Sequence, residues 1–192
     1  MSEHDAFAER ERALEDEYFR KKDRELIERL RAAAAAEQAR GELGRETGLT
    51  DPAMLQELQE MGFTPQTVVL LPLVPVLETA WAEGGVTAAE RALVVKLARS
   101  RGIDEGSPAD AQLQAWLDER PDSTVFARAG RLIAAMQVSG PGTTLDMTAD
   151  ELVAQCEQIA TISGGFLGMG RVSPDEKALL ARIASELKAR KR

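Results

Sequence analysis

Residues 2–38 contain neither glycine nor proline, and they close on an uninterrupted alanine run from Ala32 to Ala36. Strong helix formers without a breaker over that length predict one long helix. Its core, residues 9–31, reads ERERALEDEYFRKKDRELIERLR and is charged on nearly every face. It still carries Phe7, Leu14, Tyr18, Phe19, Leu26, Ile27 and Leu30 without forming the wide apolar stripe of an ordinary core helix. Acid-first pairs at i, i+4, namely Asp16–Arg20, Glu17–Lys21 and Glu25–Arg29, are expected to support it in water at about 0.2–0.5 kcal/mol each. Such a helix either lies on its own domain along a thin seam or binds something else. Both readings stand at this point.

Glycines at 41, 44 and 48 among charged residues give residues 41–48 the composition of a linker. A compact domain is expected over residues 49–192, opened by Thr50-Asp51-Pro52, a capping residue before a first-turn proline. Met54, Leu55, Leu58 and Met61 give that short helix its apolar face. Thr64-Pro65 predicts a second helix through the apolar run 68–77 toward Trp81, one that Pro72 and Pro75 should bend or delay. Further starts follow. Thr87 with Glu90 and Thr148 with Glu151 have the spacing of capping boxes, and Ser107-Pro108, Pro121 and Ser173-Pro174 precede apolar helical patterns. The inward positions expected are Leu93, Val94 and Leu97, then Leu113, Trp116 and Leu117, then Val125, Phe126, Leu132 and Ile133. No segment alternates as a strand does. The chain is therefore expected to be all-α, a long N-terminal helix (1–40) followed by a bundle of about seven helices.

Two stretches match at an offset of 86 residues. Val86-Thr87-Ala88-Ala89-Glu90-Arg91-Ala92-Leu93 lines up with Val172-Ser173-Pro174-Asp175-Glu176-Lys177-Ala178-Leu179, each after a glycine-rich turn. The match continues past the capping residues, which predicts a duplicated helical hairpin.

With Glu83-Gly84-Gly85 before it, this pattern resembles the acidic-Gly-x-Val-[Ser/Thr]-x-x-Glu turn of the TerB-like family, all-helical domains named for a tellurite-resistance protein. The resemblance covers about residues 49–187. It implies a helical bundle serving as a stress-associated scaffold or metal-responsive module. Glu83 stands where that family has aspartate, and the second copy has Met169 there with no acid. Glu83 and Glu90 alone fall short of the six or so oxygens of a calcium-type site, so no metal and no cofactor is expected.

Catalytic chemistry finds little to work with. His4 is the sole histidine, which excludes zinc spacings and Ser-His or Cys-His arrangements. Cys156 is the only cysteine, lies among apolar residues and reads as a small core side chain. The glycines of residues 164–170, GGFLGMG, lack the lysine-hydroxyl pair of a phosphate loop and follow a helix, so they read as a helix–helix turn. No enzyme is expected. With 24 basic against 32 acidic side chains, a net −8, nucleic acid is not expected as a partner despite Arg20–Arg24 and the basic residues 188–192. The longest apolar run is too short for a bilayer at about 20 residues, and the first residues lack a basic-then-apolar signal. The expectation is a soluble, cytoplasmic protein without membrane insertion.

Within the first helix, Arg10-Glu11-Arg12-Ala13-Leu14-Glu15-Asp16-Glu17-Tyr18-Phe19-Arg20 resembles the inhibitory helix of the mitochondrial ATPase inhibitor family, whose pattern is Arg-Glu-x-Ala-x-Glu-x-x-Tyr-Phe-Arg. The similarity covers about 22 residues, with apolar positions continuing at Ile27 and Leu30. It implies a helix inserted into a catalytic interface of the F1 sector of ATP synthase, blocking ATP hydrolysis, with Glu15, Tyr18, Phe19, Arg20, Ile27 and Leu30 as the partner-binding residues. That family's histidine-rich pH sensor and dimerising coiled coil have no counterpart here.

Overall fold

The protein is described by a computed structural model covering residues 3–138, 148–163 and 174–188. All regular structure among these residues is helical. Two compact units are present, Met1–Gly41 and Glu42–Arg192. The first unit is a single helical segment, part of α1 (Glu3–Thr47).

Residues 41–48 do not form the expected linker. The helix runs unbroken to Thr47, and the second unit already begins at Glu42. Each glycine has its own physical use. Gly44 lets backbone approach closely, since a Cβ there would sit 3.1 Å from the Leu49 carbonyl oxygen. Gly48, at φ +70°, takes the left-handed conformation that ends the helix, and its N–H donates to the Gly44 carbonyl (2.9 Å). Leu43 and Thr47 are completely buried. The Thr47 hydroxyl donates to the Leu43 carbonyl (2.6 Å) and accepts from the Leu49 N–H (3.3 Å). Composition pointed to a flexible joint; burial of one leucine and one threonine overrides it.

α2 (Pro52–Glu60) starts as its sequence dictates, with the Ala53 N–H donating to Asp51 Oδ1 (2.9 Å). Beyond it the chain does not open a second α-helix at Thr64-Pro65. A 3-10 segment, Val68–Leu73, comes first, and α3 (Val74–Ala80) follows. Pro72 and Pro75 are the reason: neither has an N–H to give to an i−4 carbonyl, and Pro75 fits only at the start of α3. Leu70, Leu71, Leu73, Val76 and Leu77 are completely buried. A segment apolar on every side belongs in the middle of a domain, and α3 indeed packs against the 3-10 segment and four of the helices that follow.

Those are α4 (Ala88–Ser100), α6 (Ser123–Val138), α7 (Ala149–Ser163) and α8 (Pro174–Lys188); α5 (Pro108–Asp118) packs on the 3-10 segment. Thr87 and Glu90 form the full reciprocal box: the Thr87 N–H donates to Glu90 Oε2 (2.6 Å) and the Glu90 N–H to Thr87 Oγ1 (3.3 Å). Thr148 and Glu151 repeat it at the start of α7. Residues 164–170 and the second-copy turn through Ser173 lie outside the described residues. Side-chain links then fix neighbouring helices. Trp81 Nε1–H donates to the Trp116 carbonyl (2.9 Å), and Phe63 meets the Trp116 ring edge-on at 5.7 Å. Arg131 pairs with Glu57, and Arg182 with Glu78 and Glu186. The face of α4 differs from expectation. Val94 and Ala98 are fully buried, whereas Leu93 and Leu97 are only half-buried and stand along a cleft facing α7.

Candidate partner-binding helix

Six large apolar side chains are exposed among the described residues, and five of them lie on α1: Tyr18 (57%), Phe19 (60%), Leu26 (55%), Ile27 (46%) and Leu30 (61%). The residues expected to bind a partner are thus all accessible, Glu15 and Arg20 included. Phe7, Leu14 and the side chain of Asp16 lie outside the described side chains.

Their placement on the helix is not a single stripe. At about 100° per residue, Glu15, Tyr18, Phe19, Leu26 and Leu30 fall within roughly 120° of arc. Arg20 and Ile27, seven positions apart, share a second row about 60–80° beyond Leu30. The structure therefore brings four of the six expected residues to one face and sets the other two beside it. Together they span roughly 200°, more than half the circumference. Leu26 sits in the middle of the first row and belongs with the set. The sequence signal for it is its place seven residues after Phe19 and four before Leu30.

The two aromatic rings organise each other locally. Tyr18 and Phe19 meet edge-to-face, with centroids 5.8 Å apart and planes at 73°. Lys22 Nζ stands 5.7 Å from the Tyr18 ring centre, a cation over a π face, and also donates to Glu25 Oε2 (3.4 Å). Glu25 thus pairs back to Lys22 rather than forward to Arg29 as expected. At exposed positions such pairs are worth about 0–1 kcal/mol and leave the side chains free to rearrange on a partner. Arg20 keeps its guanidinium exposed, while its carbonyl accepts from Arg24 Nε–H (3.3 Å).

In the second unit the residues with chemical potential are used structurally. Cys156 is completely buried, and desolvation pushes its thiol up to about 12, so the thiolate that nucleophilic or redox chemistry needs does not form near neutrality. Glu90 is buried and spends its carboxylate on the cap of α4, while Glu83 is exposed. Among the described residues no group of three or more His, Cys, Asp or Glu side chains is arranged to hold a metal ion, and no helix is long and apolar enough to cross a membrane.

No family model matches this chain, and no curated protein or solved structure is significantly similar to it.

Proposed function

We propose that this protein is a non-enzymatic regulator that works in the cytoplasm by offering α1 to a protein partner, with the F1 sector of ATP synthase as the most specific candidate. The observation that carries the reading is the concentration of exposed large apolar residues on one helix, Tyr18 and Phe19 foremost. Two aromatics with few rotatable bonds, flanked by an arginine able to pair bidentately, have the composition of interface anchors. The charges around them would set register rather than add affinity. The similarity of residues 10–20 to the ATPase inhibitor helix supplies the candidate target.

The test is ATP hydrolysis by cognate F1 titrated with the full-length protein and with Phe19→Ala. Truncating an anchor of this kind costs about 2 kcal/mol, so the half-inhibitory concentration should rise roughly 30-fold. Unchanged hydrolysis at saturating protein, or equal potency of the two chains, would refute the assignment.

A second reading draws on the second unit. α4 and α8 begin at equivalent positions of the internal repeat, and the pairs α3–α4 and α7–α8 each pack together. That supports a duplicated helical hairpin of the TerB-like kind, acting as a stress-associated scaffold or metal-responsive module. Calorimetric titration with calcium or zinc discriminates: neither heat nor a shift in Tm counts against the metal-responsive form.

A further inference from the structure

On α1 a single carboxylate interrupts the exposed apolar face. At about 100° per residue, Leu26, Phe19, Leu30, Ile27 and Arg20 cover an arc of about 120°. Asp23 falls at its midpoint, about 20° from Leu30 and about 40° from Phe19 and Ile27. Its neighbours one turn away include Phe19 at i−4, Leu26 at i+3 and Ile27 at i+4, all three exposed. Charges elsewhere on this stretch follow a different rule. Glu25 and Glu28 lie on the far side of the helix, while Lys22 and Arg29 flank one edge of the arc and Arg20 and Arg24 the other. The sign at the centre is thus opposite to the sign at both edges. Asp23 is exposed and makes no ion pair among the described residues. Its only basic neighbour at helical spacing is Arg20 at i−3, in the base-first order that supports a helix less well.

We propose, on the reading that α1 enters a groove of its partner, that the floor of that groove carries a basic side chain, arginine or lysine, which meets Asp23. A partner that takes Phe19, Leu26, Ile27 and Leu30 covers Asp23 with them, because it lies inside the arc they mark. An uncompensated carboxylate is among the costliest groups to enclose in apolar surroundings, and a cation in hydrogen-bonding contact offsets that cost. Arg20 sits about 60° round the helix from Asp23, at the edge of the arc, where it reaches the wall of a groove rather than its floor. Asp23 therefore discriminates: it admits a groove with a basic floor and rejects one that is apolar throughout.

ATP hydrolysis by cognate F1, titrated with the full-length wild type, Asp23→Asn and Asp23→Leu, tests it. Asparagine keeps the shape and removes the charge, whereas leucine extends the apolar arc. Both changes fall at an exposed position and leave the fold intact. Each should raise the half-inhibitory concentration at least about 30-fold, since each leaves the partner's cation enclosed without its counter-charge. A groove without that cation predicts the opposite pattern, little change for Asp23→Asn and greater potency for Asp23→Leu, which buries more apolar surface. Inhibition by wild type with Asp23→Asn within about threefold of it, or with Asp23→Leu more potent, would overturn the basic floor and leave the F1 assignment standing. Wild type that does not inhibit overturns the F1 assignment, and the basic floor falls with it.

Discussion

Replacing Leu43 by alanine should destabilise the second unit by about 3 kcal/mol, whereas the same change at Leu26 or Leu30, on the same helix, should cost less than about 0.5 kcal/mol. The difference follows from exposure: Leu43 is 0% exposed, Leu26 55% and Leu30 61%. Truncating a fully buried leucine loses its transfer free energy and leaves a cavity, and measured costs run from about 2 to 5 kcal/mol. The lower middle of that range suits Leu43, because it sits at the first turn of its unit, where the chain can partly collapse around the gap. At Leu26 and Leu30 little burial is lost, and alanine's helix propensity returns a few tenths of a kcal/mol. Thermal unfolding followed by tryptophan fluorescence reads the second unit specifically, since both tryptophans, Trp81 and Trp116, lie in it. For a unit of this size, Leu43→Ala should lower Tm by roughly 6–12 °C. Truncation makes the same point. A chain beginning at Glu42 should melt close to the intact protein, and one beginning at Leu49 should melt well below it. If Leu43→Ala behaved like Leu26→Ala, residues 42–47 would be a helical tail and the burial argument would be wrong.

Three further outcomes are expected. Asp110, Asp122 and Glu151 hold their carboxyls below the ordinary range, chiefly because each accepts a backbone N–H, from Gly106, Thr124 and Thr148 respectively. Folded values below the unfolded ones mean that their contribution is complete above about pH 4 and is lost as pH falls through the folded values, so Tm should fall on acidification past pH 4 and change little between about pH 6 and 8; a main loss of stability near neutrality would contradict this. Gln155→Met removes a buried acceptor without a partner and should raise stability by about 1 kcal/mol, a gain of roughly 2–4 °C in Tm, whereas a fall in Tm would show that Oε1 is satisfied in solution. Cys156, buried and with its thiol raised, should react with a thiol reagent only at the rate at which the native protein opens; rapid labelling without denaturant would contradict its placement in the core.

Much of the helical organisation was legible because its signals are local. Asp51, Thr87, Ser107 and Thr148 each cap the helix they precede, and a cap needs only residues within one turn. The apolar run through Pro72 and Pro75 announced a buried segment and a delayed helix for the same reason. What local reading missed were positions decided by distant neighbours. The glycines at 41 and 44 looked like a break, yet Gly44 serves close packing against Leu49, a contact that composition does not encode. Leu93 and Leu97 had the spacing of core residues, but helical spacing fixes a face and not its depth, and the most buried residues of α4 are Val94, Ala98 and Glu90. On α1 the candidate residues were found through a motif, and the motif omitted Leu26, which geometry restores.

The two rows on α1 bear on the kind of contact such a helix can make. A helix resting on a flat surface buries one stripe, about 100–120° wide, and charged neighbours then flank it on both sides. Here Leu26, Phe19, Leu30 and Ile27 fall within about 100° and would occupy that stripe with Arg20 at its edge, while Tyr18 lies about 80° outside it on the other side. A partner that takes Tyr18 as well as Ile27 and Arg20 must enclose the helix over roughly 200°, as a groove does, whereas one that leaves Tyr18 out needs only about 120°. Asp23 argues against the simplest alternative, pairing with a second copy in parallel register. At 3.5 residues per turn it falls midway between Phe19 and Leu26 along the seam, where two carboxylates would face each other. Charge at Asp23 thus disfavours a symmetric parallel pairing of α1, in keeping with the proposal that its partner is a different protein.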